Sequence, residues 1–279
     1  MRTITCEQIK EFKKHLINEE KSNATIKKYL HDVMTFASWL SNNVLRKSIV
    51  VAYKSYLTEQ YAPASVNATL SSINCFFSYM EWYDLRVKSI KIQRQMFLSD
   101  DKELTKAEYE RLLKAAQSKN NERLYLLMQT ICSTGIRVSE LRYITVEAVM
   151  SGRADIQCKG KRRTVFLPDK LSKILKQYIK RQNIKSGAVF ITKTGTPLDR
   201  SNIWSDMKKL CRTANVLEAK VFPHNLRHLF ARTYYALQKD IVRLADILGH
   251  SSVNTTRIYT MESGEIHRRQ IQKLGLLRC

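Results

Sequence analysis

The amino-acid sequence predicts a mainly α-helical protein with a small β-sheet, built as a helical N-terminal domain and a larger C-terminal domain. Three observations predict this class. Helical patterns with apolar residues three and four apart fill residues 1–85. A basic stretch without clear periodicity, RVKSIKIQRQMFLSDDKEL (86–104), then indicates a linker. Segments typical of β-strands occur only between about 153 and 193. The length of 279 residues suits two domains.

Four helices are expected in the N-terminal domain. The first begins at a capping box formed by Thr5 and Gln8, and an apolar face with Ile9 follows. The others are expected over about 23–40, over about 48–59, and from Pro63 onward, where proline suits a first helical turn. Their opposite faces carry lysines, asparagines and serines, which favours contacts with phosphates over plain solvation in so basic a chain.

The C-terminal domain begins at a second capping box, Thr105 and Glu108. An apolar helix, Leu124 to Cys132, is expected to stop at Gly135, a residue typical of a left-handed helix cap. Two strands, 153–157 and 164–168, are joined by CKGKRR (158–163), and AVFITK (188–193) is predicted as a third strand. Further helices are expected over about 201–214, 224–237, 240–248 and 265–274.

The charge of the chain favours a polyanionic partner. The sequence has 48 Lys and Arg against 25 Asp and Glu, so its formal net charge is +23. A P-loop or GxGxxG fingerprint is absent, and so nucleotide binding has no support. The six cysteines show no CxxC spacing, and the sequence predicts neither a zinc site nor a disulfide framework. Without a long apolar run or a signal peptide, the expected location is the cytoplasm and not a membrane.

Two arginines are candidates for binding a phosphate. Arg137 follows Gly135 within TGIRVSEL, and Arg227 lies within HNLRH, each among apolar neighbours. A charge set in apolar sequence needs a partner, which a bound phosphate or Glu140 can supply. Arginine suits a phosphate because its planar fork donates two hydrogen bonds and keeps its proton. Taken singly, each is one basic residue among many, and surface charge is the plain alternative.

Histidine and tyrosine side chains follow in the same stretch. His224 stands at a helix start and can act as a base, while His250 follows a helix stop and can donate to a phosphate. His228 stands four residues after His224, but metal binding is disfavoured because no third ligand is evident; supporting the helix is its plainer role. Tyr259, a phenol with a pKa of about 10, needs a cationic pocket to act as a nucleophile. Lys159 can protonate a leaving oxygen, and Lys161 competes for that role.

These motifs resemble the tyrosine recombinases, also called the phage integrase family. TGIRVSEL is similar to the family's first arginine box, and CKGKRRTVFLP to its lysine hairpin; HNLRH and LGHSSVNTTRIYT are similar to the two later boxes. The resemblance implies the catalytic residues Arg137, Lys159, His224, Arg227, His250 and Tyr259 (the nucleophile), with Glu140 and His228 in support. Met261 is a departure, because a histidine often stands there. The resemblance also implies a core-binding domain at 1–85, a linker at 86–104, and a catalytic domain at 105–279 with a tail from about 261.

The resemblance further implies a mechanism and an assembly. Tyr259 attacks a DNA phosphate and forms a 3′-phosphotyrosyl link, which a 5′ hydroxyl from a partner duplex later resolves. No cofactor and no metal are needed, since the covalent link keeps the bond energy. Four copies act on two duplexes, in a compact Xer-like layout, and exchange their C-terminal tails. Integration or excision of a mobile element, chromosome-dimer resolution and inversion stay open, as does an accessory protein.

Three rival interpretations remain. A type IB topoisomerase uses a similar set of residues, and relaxation of a plasmid without a specific site would favour it. A DNA-binding protein without catalysis would form no covalent protein–DNA product. An RNA-binding module would need aromatic side chains at stacking positions, and the sequence indicates none.

Overall fold

The computed structural model describes residues 2–41, 44–92, 103–158, 161–192, 194–259 and 271–274. The chain divides into two compact units, Met1–Arg94 and Gln95–Cys279, here called the N-terminal and C-terminal units. The division falls within the stretch assigned to a linker. The finer bounds of 1–85, 86–104 and 105–279 stay a prediction.

The described residues of the N-terminal unit form four α-helices: α1 Cys6–Asn18, α2 Asn23–Leu40, α3 Lys47–Gln60 and α4 Pro63–Tyr79. The predicted capping box starts α1, because Thr5 accepts from the amide of Gln8 and the Gln8 side chain accepts from the amide of Thr5. Pro63 occupies the first turn of α4. The apolar faces of the helices meet in a core that includes Phe12, Phe36 and Phe76.

Two asparagines of α4 hold the chain that leaves this unit. The side chain of Asn74 donates to the carbonyl of Val87 at 2.8 Å and accepts from the amide of Val87 at 3.0 Å. Asn67 makes the same pair of bonds with Ile90, at 2.9 and 2.7 Å. These bonds satisfy backbone groups of residues 87–90 that lie in no helix or strand.

The C-terminal unit is helical around one hairpin. Its helices are α5 Lys106–Ser118, α6 Glu122–Thr134, α7 Val146–Ser151, α8 Asp169–Arg181, α9 Arg200–Lys208, α10 Cys211–Ala214, α11 Pro223–Gln238, α12 Ile241–Leu248 and α13 Val253–Thr256. The strands β1 Arg153–Cys158 and β2 Lys161–Phe166 pair antiparallel, with Ile156 opposite Arg163. Helix α6 lies in the core with Leu127 and Ile131 buried, and α11 packs against it.

Three local predictions for this unit need correction. The strands reach further toward the turn than predicted, so only residues 159 and 160 connect them. The predicted third strand, 188–193, is wrong, since its described residues form only the isolated bridges Thr145–Ala188 and Ile191–Pro197. The helix expected over 201–214 is two helices, α9 and α10. Helices α7 and α8 have no counterpart among the predicted elements. The piece expected at 265–274 lies outside the described residues, apart from 271–274.

The predicted fold class, mainly α with a small β-sheet, is confirmed. Within the described ranges, the helices are too short or too polar to traverse a lipid bilayer.

Candidate active site

Arg137 is presented by the end of α6. The helix stops at Gly135, whose φ of 66° is left-handed. A Cβ at this position would lie 2.4 Å from a ring carbon of Phe230, so the close approach of α11 also requires glycine. Two residues later, Arg137 precedes the 3-10 turn Val138–Tyr143. The predicted helix stop therefore fixes where the arginine lies.

Glu140 holds Arg137 from within that turn. Its carboxylate is 1% exposed and accepts from the backbone amide of Arg137 at 2.8 Å and from its guanidinium at 3.0 Å. Burial alone would raise the pKa of Glu140. The hydrogen bond from the Arg137 amide and the charges of Arg163 and Arg137 outweigh burial, so the pKa is below its ordinary value. Glu140 is therefore an ionised, buried carboxylate that orients Arg137.

Arg163 is a residue of this site that the sequence analysis missed. Its guanidinium donates to Glu140 Oε2 at 2.6 Å and also to the carbonyl of Ile247, near the end of α12. It thereby links β2 to the turn that carries Arg137 and to the helix that precedes His250. The sequence analysis placed Arg163 in the connection between the strands, and only the observed start of β2 at Lys161 puts it on the same face as Val165, which is buried.

Arg227 is a buried cation whose hydrogen-bond partners are neutral groups. It is 1% exposed and donates to the carbonyls of Gly135 and Leu248, the second at 2.7 Å. Within the described part of the chain, no carboxylate forms an ion pair with it, and its buried Nε has no hydrogen-bond partner. Burial, and after it the charge of Arg137, lowers the pKa of Arg227 to about 10. The guanidinium stays charged at neutral pH.

His250 is held in one tautomer by its two neighbours. Arg227 Nη2 lies 3.0 Å from His250 Nε2, and since a guanidinium can only donate, Nε2 accepts. Nδ1 must then carry the proton, which it donates to Thr256 Oγ1 at 2.8 Å. Burial, followed by the charges of Arg227 and Arg137, lowers the pKa of His250 to about 4. The ring is neutral at pH 7, as this hydrogen-bond pattern requires.

Tyr259 lies against two histidine rings. Its ring centroid is 4.9 Å from that of His228, edge to face, and 6.2 Å from that of His250. Burial raises the pKa of the phenol, while the charge of Arg227 and a hydrogen bond with it act in the opposite direction. The side chain is 4% exposed and packs with Leu244 and Leu248 of its own chain.

His224 is not the imidazole nearest to this tyrosine. The ring of His228 lies 4.5 Å from that of His224 and also contacts Tyr259. Burial and then the charge of Arg227 lower the pKa of His224. Burial and then His224 lower the pKa of His228 to about 4. Both imidazoles are therefore neutral at pH 7 and able to accept a proton.

Two neighbouring clefts open at Arg137. One, of about 580 Å³, is lined by Glu140, Arg163 and His250, among others. The other, of about 530 Å³, is lined by Trp204, His224 and Arg227, among others. Arg137 and Ser139 line both clefts. A molecule lying across Arg137 would meet cationic groups on either side.

The structure brings most of the predicted site residues together: Arg137, Glu140, His224, Arg227, His228, His250 and Tyr259. Lys159 lies outside the described residues, as does the side chain of Lys161. Among the residues that the structure describes, no three His, Cys, Asp or Glu side chains cluster as a metal site would require.

Comparisons with known proteins cover both units. The family model described as "Phage integrase family" matches residues 102–265, and "Phage integrase, N-terminal SAM-like domain" matches residues 9–83. Tyrosine recombinase XerA of Pyrococcus furiosus is 27% identical over 286 residues, which cover 99% of this chain and 96% of the relative.

Solved structures give the same picture. A crystal structure of XerA recombinase matches with a TM-score of 0.54 at 26% identity, covering 98% of this chain and 99% of that one. A lambda integrase tetramer bound to a Holliday junction matches with a TM-score of 0.75 at 16% identity, covering 92% of this chain and 78% of that one. The second likeness concerns the fold alone.

Proposed function

This chain belongs to the phage integrase family, and on that premise we propose that it is a site-specific tyrosine recombinase, which cuts and rejoins DNA strands through a 3′-phosphotyrosine intermediate. The family model spans more than half of the chain, which confirms the resemblance drawn from the four motifs. The proposed substrate is double-stranded DNA, and the proposed location is the cytoplasm.

Arg227 is the observation that carries this proposal. A charged guanidinium 1% exposed is costly unless an anion compensates it. It donates to two carbonyls and an imidazole and interacts with the phenol of Tyr259, and in the described ranges it forms no ion pair with a carboxylate. A phosphate in the adjoining cleft would supply the missing charge. Tyr259 interacts with the same guanidinium, which supports it as the proposed nucleophile.

The proposed cleavage step uses each group once. Arg137 and Arg227 bind the non-bridging phosphate oxygens and stabilise the charge that builds on them. The Tyr259 oxygen attacks phosphorus, and its proton passes to a neutral imidazole, for which we propose His224. The bond from phosphorus to the 5′ oxygen breaks, and Lys159 supplies the proton that this oxygen takes up. His250 donates to a phosphate oxygen once its Nε2 is protonated or its tautomer changes.

Rejoining reverses these transfers. The 5′ hydroxyl of a partner duplex gives its proton to the lysine and attacks the phosphotyrosine. The bond from phosphorus to the tyrosine oxygen breaks, and the phenol regains its proton. The number of phosphodiester bonds is unchanged, so the reaction needs no external energy source.

We further propose that four copies act on two DNA sites and exchange their C-terminal tails. Leu237 at the end of α11, Val242 at the start of α12 and Ile258 are 76%, 58% and 40% exposed. Ile271 and Leu274 in the tail are 54% and 62% exposed. Apolar groups exposed on both the tail and these helices favour docking of one copy's tail on another. Deleting the tail should abolish tetramers on DNA, as measured by light scattering.

The decisive experiment traps the covalent link. A duplex selected for specific binding from a random pool is nicked near the cleavage point, so that the short 5′ fragment diffuses away. Wild type should give a shifted band on a denaturing protein gel, and Tyr259→Phe should not. Tyr235→Phe, on the same unit, is the matched control and should behave as wild type. Specific binding without any covalent band would contradict the proposal and favour a binding-only protein.

The lysine assignment has its own test. Lys159→Ala should cleave slowly, because the leaving oxygen lacks its proton, whereas Lys161→Ala should cleave normally. A substrate with sulfur in place of the bridging 5′ oxygen needs no proton on its leaving group. It should restore cleavage by Lys159→Ala. If Lys161→Ala cleaves slowly and the sulfur substrate restores its cleavage, Lys161 and not Lys159 protonates the leaving oxygen.

Relaxation of plasmids that lack the selected site would support the topoisomerase alternative.

A further inference from the structure

Among the described helices of the C-terminal unit, α8 is the most basic. Its thirteen residues include five basic side chains, Lys170, Lys173, Lys176, Lys180 and Arg181, against one acidic residue, Asp169. By comparison, the equally long α5 has three basic and two acidic residues. Neither the cleft residues nor the proposed chemistry uses any of these five side chains.

The lysines of α8 form one exposed face. Lys173, Lys176 and Lys180 follow one another at spacings of three and four, which places them on the same side of the helix. All three are exposed, whereas Leu175 and Ile179 on the other side are buried in the core. In the part of the chain that the structure describes, none of the three lysines forms an ion pair or a hydrogen bond with a side chain. Their charges are available to an external anion.

This lysine face lies away from the clefts at Arg137. Arg181, at the end of α8, pairs with Glu122, the first residue of α6. Arg137 follows the opposite end of α6, and thirteen helical residues span roughly 20 Å. The start of α8 follows Phe166, at the open end of the hairpin and about 10 Å of strand beyond Arg163. The C-terminal end of α8 is thus separated from Arg137 by the length of α6, and its N-terminal end is separated from Arg163 by the last residues of β2.

We propose that Lys173, Lys176 and Lys180 form a second DNA-binding surface, which holds duplex outside the catalytic cleft by its phosphate backbone. The spacing suits the ligand, because a duplex presents one negative charge per about 1.7 Å of axis. The surface carries no hydrogen-bonding pattern that reads bases, so its binding is independent of sequence. Its occupant is a second duplex, separate from the one bound at the catalytic cleft. The inference deepens the proposed function and rests on it only in that the partner is duplex DNA.

The test compares two triple variants of the full chain. Lys173→Gln/Lys176→Gln/Lys180→Gln removes the surface, while glutamine keeps the helix propensity. The control, Lys106→Gln/Lys114→Gln/Lys119→Gln, removes the same charge from exposed positions on α5 and its C-cap. Each protein is saturated with the short selected duplex. Capture of a second, labelled duplex of unrelated sequence is then measured as a function of salt.

Each lysine that contacts a phosphate steepens the fall of log affinity with log salt by about 0.9, so it adds about eightfold to the loss of affinity over a tenfold rise in salt. The α8 variant should therefore capture the second duplex at least about tenfold more weakly than the control, with a flatter salt dependence. Capture equal to that of the control would overturn the proposal. So would an equal loss of affinity for the short duplex, because the lysines would then belong to the primary site. Covalent trapping on the nicked duplex stays normal in both variants if the proposed function holds, and so reports that function separately.

Discussion

Removing Arg163 should loosen the site without touching any proposed catalytic group. Arg163→Met keeps the length of the side chain but deletes its bonds to Glu140 and to the Ile247 carbonyl. Glu140 then remains a carboxylate, 1% exposed, with Arg137 as its single charged partner among the described residues. Hydrogen bonds to charged groups contribute about 1.5–3 kcal/mol, and the Arg163 side chain is 15% exposed. We expect the free energy of unfolding to fall by about 2–4 kcal/mol.

Thermal unfolding at pH 7 measures this loss. A fall of about 3 kcal/mol lowers the melting temperature of a unit of this size by roughly 6–12 °C. The rate of covalent trapping should fall further, by about 100-fold, because a displacement of about 1 Å at Arg137 can have that effect. Arg163→Lys retains one charged donor and should recover part of both losses. Glu140→Gln completes a double-mutant cycle.

The pH dependence of the loss gives an independent check. The lowered pKa of Glu140 means that its contribution to stability is present above pH 4.5 and is lost as pH falls through the folded-state pKa. Without the charge of Arg163, burial is opposed less and the folded-state pKa of Glu140 is higher than in wild type. As pH falls, Glu140 therefore becomes protonated at a higher pH in the variant than in wild type. The difference from wild type should be largest near neutrality and narrow on acidification. A wild-type melting temperature and trapping rate in Arg163→Met, or additivity with Glu140→Gln, would refute this reasoning.

Three further predictions concern the same site. Gly249→Ala should lower the free energy of unfolding, measured by chemical denaturation, by about 1–3 kcal/mol, because φ is 64° and a Cβ would lie 2.7 Å from a side-chain carbon of Arg163. Gly195→Ala is the control: φ is 80° but the space around it is open, so its free energy of unfolding should fall by less. Thr256→Val should slow covalent trapping, because His250 loses the hydroxyl that accepts from its Nδ1 and holds the ring in place. Thr256→Ser keeps that hydroxyl and should react normally, so equal trapping rates for Thr256→Val and wild type would contradict this role. The pKa values of His228 and His250 are lowered to about 4, so the unfolded chain binds their protons first, and stability should fall as pH drops from 6.5 toward 4. Urea midpoints that do not change between pH 7 and 5 would count against neutral histidines.

The elements that could be predicted from the sequence are those with local causes. Helix α2 has the predicted bounds, because its apolar positions repeat at helical spacing and Ser22 caps its start. Gly135 ends α6 as predicted, since a left-handed cap depends on that one residue. The position of Arg137 follows from that cap. In each case the physical cause lies within a few residues of its effect.

Other features depend on contacts that sequence spacing does not reveal. The described residues of 188–193 have the apolar content of a strand, but they find only single bridging partners at Thr145 and Pro197. Strand pairing needs a neighbour, and sequence composition alone does not supply one. The role of Arg163 likewise depends on Glu140, which is 23 residues away in sequence. Helix α8 is different, because the spacing of Leu171, Leu175 and Ile179 is itself typical of a helix and needs no distant contact to explain it.

Glu140 and Arg227 show how the structure refines an argument made from the sequence. Charges within apolar sequence were expected to need partners, and Glu140 was one partner offered to both arginines. In the structure, Glu140 forms ion pairs with Arg137 and Arg163. Arg227 contacts carbonyls and His250 in its place. Because dipoles offset a buried charge only in part, Arg227 keeps a positive potential at the cleft, and an anion is the ligand best suited to it. The position of Glu140 thus leaves Arg227, among the described residues, as the arginine of the site whose charge no carboxylate balances.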